Sequence, residues 1–235
     1  MISIFTLSFY FAYIFLAGTS LLTGLEVFSY FPTSYQVLKY ILSIETTVNI
    51  IASVAYNNLL THINPINYYN LILFRYLDWF ATTPLLLISF TLYLQYLKHK
   101  NTTSKIHIEY DKLGIIIFLN LLMLIFGFLG ETGTINHILG CILGFIPFVA
   151  QFWLIWKWYG DTLHNKKIFI IFLIIWSLYG IVYLLPNQPK NINYNILDII
   201  AKVGFGVLIW FEVVKLRLDG KLPSNPIISK FKNIL

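Results

Sequence analysis

The sequence predicts an all-α membrane protein: a bundle of seven transmembrane helices forming a single domain over residues 1–235. Composition is the first observation behind this, with 58% apolar, 18% aromatic and only 11% charged residues. The second is how those residues are distributed. Polar breaks divide the chain into apolar runs at 2–26, 33–60, 68–97, 112–131, 134–158, 166–186 and 192–215, each near the roughly 20 residues a helix needs to cross a bilayer.

The first run is long enough to cross and lacks a basic leader or a small-residue cleavage site, so it reads as a spanning helix and not as a removable signal. In the second, Glu45, Asn49, Ala52 and Tyr56 follow at spacings of 4, 3 and 4, which puts Glu45 on the inward face. Apolar Ile41, Leu42, Ile44 and Val48 flank it, so an exposed glutamate at a helix end is the lesser reading. The third run carries Arg75, Asp78, Thr82, Leu86 and Ser89 on one stripe, at spacings of 3, 4, 4 and 3. Taken alone, that stripe is equally an Arg75–Asp78 pair neutralising itself, with Pro84 as a kink. The fourth run holds Met123 and Gly127. The fifth holds the lone Cys141, which excludes an intrachain disulfide and reads as packing. The sixth carries Trp176, Tyr179 and Tyr183, aromatics at helical spacing.

The seventh run holds Lys202, with Asp198 one turn before it. A charge at membrane depth costs several kcal/mol, so an ionisable residue there marks a functional site. Burial disfavours the ammonium and leaves an amine available to an aldehyde. The i, i+4 spacing places the carboxylate on the same face as its counterion.

Basic residues set the expected orientation. Lys98, Lys100, Lys105 and Lys112 surround the third connection, and Lys157, Lys166 and Lys167 the fifth. Lys215, Arg217, Lys221, Lys230 and Lys232 follow the last span, whereas the connections after spans two, four and six hold only Lys190. The positive-inside rule then puts the C-terminus in the cytoplasm and the N-terminus outside. The net charge of +6 follows from this topology and from anionic headgroups, not from binding nucleic acid. His62, His99, His107, His137 and His164 fall at loops or helix ends without ligand spacing, so no metal site is expected. The segment from Leu216 to Leu235 is too short for a signalling or catalytic domain, and no enzyme activity is expected.

Two segments, Arg75-Tyr76-x-Asp78-Trp79-x-x-Thr82-Thr83-Pro84 and Leu197-Asp198-x-x-Ala201-Lys202-Val203-Gly204-Phe205-Gly206, resemble the third-helix and seventh-helix signatures of the microbial rhodopsins. The likeness extends to Trp176-Ser177-x-Tyr179 with Tyr183, to Tyr56, and to Met123 with Gly127 in a stretch, Leu121 to Glu131, similar to proteorhodopsins. It touches every span except the first, and the fifth only faintly.

The resemblance implies all-trans retinal joined to Lys202 as a Schiff base, with Asp78 and Asp198 as counterions and Asp78 as the primary proton acceptor. It implies Arg75 as the charge gate and Thr82 as a hydrogen-bond partner of Asp78. Trp79, Thr83, Leu86, Met123, Gly127, Trp176, Tyr179, Tyr183 and Tyr56 would surround the polyene. Leu86 stands where proteorhodopsins separate green from blue absorbers, and an apolar residue there implies green. In outward proton pumps of this family a carboxylate eleven residues after the acceptor donates the proton. Here that position is Ser89, which cannot do so by ordinary acid chemistry.

Glu45 lies eleven residues before Tyr56, and Ser89 eleven after Asp78, on antiparallel helices. Each is therefore ~16 Å toward the cytoplasm, and the two should share a level. Glu45 is the expected replacement donor. A glutamate on the second span without a carboxylate at the Ser89 position of the third resembles the rhodopsins of large DNA viruses, of their second group. Glu212 continues the Lys202 stripe through Phe205 and Ile209 near the cytoplasmic mouth and is expected first as a snorkelling surface carboxylate and second as a proton-uptake group. On the outer side, the loop Pro186 to Asn195 contains no acid, which leaves Glu131 as a candidate for proton release. The leading function is a light-driven outward proton pump. A light-gated cation channel comes second and a sensory photoreceptor third. Partners are the bilayer of a plasma or other host-cell membrane, the transported proton or cation, and further copies of the chain in a trimer or pentamer.

Overall fold

The computed structural model describes residues 3–63, 66–99, 108–160 and 163–225. Lys100, Lys105, His107, Lys230, Lys232 and the side chain of His164 lie outside the described set. The helices are α1 Ile4–Val27, α2 Gln36–Thr61 after a short 3₁₀ turn at Thr33–Tyr35, α3 Tyr68–His99, α4 Tyr110–Glu131, α5 His137–Tyr159 and α6 Leu163–Tyr183. The chain then continues as α7 Asn187–Asp198, a π-helical turn Ile199–Val203 and α8 Gly204–Leu218.

Among the described residues, six helices are long and apolar enough to cross a membrane individually. The seventh crossing is composite, built from α7, the π turn and α8 in series. Each helix packs on its sequence neighbour, and the last crossing closes the ring against α1 and α2. Outward faces are apolar, with Ile4, Ile14, Leu21, Ile146, Trp153, Ile174 and Phe211 all exposed, as a lipid solvent requires. The protein is a multi-pass integral membrane protein.

Local chemistry explains the helix ends. The Ser3 hydroxyl accepts from the Thr6 amide at 3.1 Å, and the Asn136 side chain accepts from the Ile138 and Leu139 amides at 3.0 and 3.2 Å, starting α5. Between α4 and α5 the chain turns through Gly133, whose φ of 74° suits a residue without Cβ. Beyond that turn the two helices approach closely: a Cβ on Gly140 would lie 2.9 Å from the Gly130 Cα. Pro84 and Pro147 lie within α3 and α5 without ending them. The hydroxyls of Thr82 and Thr83 donate to the carbonyls of Asp78 and Trp79, each at 2.8 Å, next to the amide that Pro84 lacks.

One boundary differs from the sequence reading. The stretch from Pro186 to Asn195, expected as a loop before a span at 192–215, is helical from Asn187. Pro186 caps it and Pro189 falls in the first turn, where a missing N–H costs no helical bond. Its asparagines make it too polar to read as a span. They are tolerated because Asn191 and Asn195, with Lys190 and Tyr194, face the interior and not lipid.

Candidate functional site

The site begins where the seventh crossing widens. In the π turn the Gly204 amide reaches back five residues to the Ile199 carbonyl. The extra residue re-aims the side chains around it, a device common at functional positions. Asp198 and Lys202 both point inward, and Lys202 is 1% exposed.

Lys202 Nζ lies 2.5 Å from Asp78 Oδ2 and 3.6 Å from Asp198 Oδ2. The two carboxylates are dressed very differently. Asp198 accepts from the hydroxyls of Tyr56 and Tyr179, each at 2.8 Å, and from Trp79 Nε1 at 3.4 Å, with Arg75 Nη1 3.7 Å away. Among the described residues, Asp78 has Lys202 alone on Oδ2, and its buried Oδ1 has no hydrogen-bond partner. Thr82 bonds the backbone carbonyl of Asp78, not its carboxylate.

Arg75 is buried in a polar web. Its Nη2 donates to Asn195 Oδ1 at 2.8 Å and Asn191 Oδ1 at 3.2 Å, and its Nη1 to the Tyr56 hydroxyl at 3.2 Å. The rings of Phe9, Tyr56, Trp79 and Tyr194 lie 5.3 to 5.8 Å from its guanidinium carbon, a cationic side chain bedded in aromatic faces. The two asparagines lay in the stretch read as a loop, so the sequence reading missed them. Helical spacing from Asp198 back through Asn195 and Asn191 is the signal that would have found them.

From Lys202 a cavity runs among apolar and aromatic side chains. Trp79, Thr83, Leu86, Met123, Gly127, Trp176, Tyr179, Tyr183 and Asp198 line it, but Tyr56 does not. Tyr56 stands behind Asp198 and holds it. Tyr76, Gly144, Phe145, Phe148, Gly180 and Tyr194 are lining residues that the sequence reading did not single out. Cys141, read as packing, also lines it. On α5, Gly140, Gly144, Phe145 and Phe148 recur at helical spacing, and that pattern was the available signal. Thr83 is fixed from outside, since Asn120 Nδ2 donates to its hydroxyl at 2.7 Å.

This arrangement suits a long apolar aldehyde anchored at one end. The amine sits at the closed polar end with two carboxylates to balance its charge. Indole and phenol rings form the walls, and glycines at 127, 144 and 180 leave room where side chains would fill the space.

On the far side of Leu86, α2 and α3 bring Glu45 and Ser89 together. The Ser89 hydroxyl donates to Glu45 Oε1, both residues are fully buried, and Glu45 Oε2 has no partner among the described residues. Asn49 donates to the Glu45 carbonyl at 2.8 Å. Leu42, Val48, Leu86, Phe90 and Phe205 belong to one buried apolar cluster around this level. Farther along, the Tyr96 hydroxyl donates to the half-buried Glu212 at 3.2 Å. At the opposite end Glu131 is closed off: both its oxygens accept from Lys190 Nζ at 2.9 Å, and both side chains are buried.

Comparison with known proteins decides the family. Residues 6–216 match the profile of the bacteriorhodopsin-like proteins. The chain belongs to that family. Among curated proteins it is similar to a green-light absorbing proteorhodopsin from Gamma-proteobacterium EBAC31A08, 28% identical over 161 residues. That match covers 60% of the chain, which thus spans about 61% of the curated relative's length. Among solved structures, viral rhodopsin OLPVRII superposes with a TM-score of 0.83 at 30% identity, covering 91% of this chain and 99% of that one. The blue light-absorbing proteorhodopsin from Med12 shares the fold, with a TM-score of 0.72 at 24% identity over 92% and 98% of the two chains. Rhodopsins of this family carry retinal as a Schiff base on a lysine, and the lysine at the head of this cavity is Lys202.

Proposed function

We propose that the protein is a light-driven outward proton pump, with its N-terminus outside and its C-terminus in the cytoplasm. Retinal bound through Lys202 supplies the light-driven isomerisation that changes the direction and basicity of the nitrogen. Everything else is done by the chain. The observation that carries the reading is the placement of two carboxylates on opposite sides of Lys202, Asp78 in contact and Glu45 sealed away.

Asp78 is the acceptor for the proton leaving Lys202 Nζ. It is in direct contact, and its second oxygen has no donor holding it in the charged form. Asp198, saturated with donors, stays charged and balances the site throughout. Glu45, buried against Ser89 in apolar surroundings, holds a proton at rest and returns it to the nitrogen. The apolar layer around Leu86 keeps the two routes apart, so that a proton delivered to Asp78 leaves on the Arg75 side.

The test uses the retinal-loaded protein in liposomes containing a pH dye. Illumination is expected to drive a pH change that a protonophore collapses and that Asp78→Asn abolishes. A light response that only dissipates an imposed cation gradient would make the protein a channel.

A further inference from the structure

The polar web around Arg75 contains an arrangement the pumping scheme leaves unused. Asn195 is fully buried and touches three helices other than its own. Its Nδ2 donates to Ser8 Oγ on α1 at 2.9 Å. Its Oδ1 accepts from Arg75 on α3 at 2.8 Å and lies 3.1 Å from the hydroxyl oxygen of Tyr56 on α2, whose single proton goes to Asp198. The orientation of this amide is forced. The Ser8 hydroxyl spends its proton on the Phe5 carbonyl at 2.7 Å, so toward Asn195 it presents only an acceptor. The amide must then turn Nδ2 to Ser8 and Oδ1 to Arg75, which can only donate.

Arg75 in turn donates to the Tyr56 hydroxyl and lies 3.7 Å from Asp198, so Arg75 and Tyr56 together reach Asp198 from that side. We propose that Asn195, oriented by Ser8, is the positioning residue that holds Arg75 against Tyr56 and Asp198 and so keeps the guanidinium directed at the Lys202 carboxylates. The inference rests on the roles given above to Asp78 and Asp198. Arg75 has no competing carboxylate, because the one acid on its outer side among the described residues, Glu131, is taken by Lys190. The charged groups facing Asp78 are Lys202, Asp198 and Arg75, while Tyr56 and Tyr179 act on it through Asp198. Of these, only Arg75 and Tyr56 are in contact with Asn195.

The experiment is an acid titration of the visible band of the retinal-loaded full chain, which follows the charge at Lys202 without requiring transport. In Asn195→Leu the acid colour transition should move up by about one pH unit, a tenfold change in proton affinity. In the Arg75→Gln background the same substitution should add less than about 0.3 unit, because its effect passes through the arginine. A packing role would add in full, and that result, or an unmoved transition in Asn195→Leu, overturns the proposal. Should Asn195→Leu fail to take up retinal, Ser8→Ala decides: it releases the amide and should shift the transition the same way by a smaller amount, and no shift counts against the proposal. A wild-type protein with no acid transition at all would sink the roles of Asp78 and Asp198 beneath it. A normal wild-type transition with unmoved variants sinks Asn195 alone.

Discussion

The two sides of Lys202 solve the problem of buried charge in opposite ways. On the Arg75 side, polar groups are abundant and interlocked: one guanidinium, one carboxylate, two tyrosines and two asparagines bond to one another across α2, α3, α6 and α7, with the Arg75 Nε alone of the guanidinium nitrogens left unpaired among the described residues. On the Glu45 side the buried carboxyl group next to Ser89 has that one hydroxyl partner, Asn49 on its backbone carbonyl and otherwise a largely apolar neighbourhood. A dense web stabilises charge and holds it in place. A sparse, sealed pair favours a neutral acid that gives up its proton only when the neighbourhood changes. In the proposed pump this asymmetry would set the direction of proton movement.

The largest expected effect removes the point both sides share. Lys202→Ala should abolish the visible band on adding retinal, and a retained chromophore would break the account of the cavity. Next comes the sparse side. Glu45→Gln should slow recovery of the resting absorption after a flash at least about tenfold, leaving the first proton transfer to Asp78 intact. Unchanged recovery would remove Glu45 from the donor role and with it the contrast. On the dense side, Lys190→Met leaves Glu131 buried without its partner, which should cost about 3–5 kcal/mol and lower the temperature at which colour is lost, with the spectrum unchanged. The smallest effect is expected from Tyr56→Phe, one of several donors on Asp198. It should shift the band by a few nanometres only, and loss of the pigment would show that the web is less redundant than its geometry implies.

The sparse side was the more legible from sequence. Glu45 and Ser89 could be set at one level by counting residues from Tyr56 and Asp78, because straight helices convert sequence number into depth. The Arg75–Asp78 and Asp198–Lys202 spacings were equally plain. The dense side was only half readable. Asn191 and Asn195 sit in a polar stretch that hydropathy assigns to a loop, and only tertiary contact turns their side chains inward. The π turn that aims Lys202 leaves no periodic signature. The α5 wall of the cavity was passed over because small residues and a lone cysteine read as packing, and they gain meaning only from the space they leave open.

The measurement that tests the central claim most directly is photocurrent from voltage-clamped cells expressing the retinal-loaded protein, swept across membrane potential. Outward current at every accessible voltage, lost in Asp78→Asn, is the predicted result. A current that reverses near a cation equilibrium potential would contradict the account, since it would mean that the two sides of Lys202 are joined by a pore.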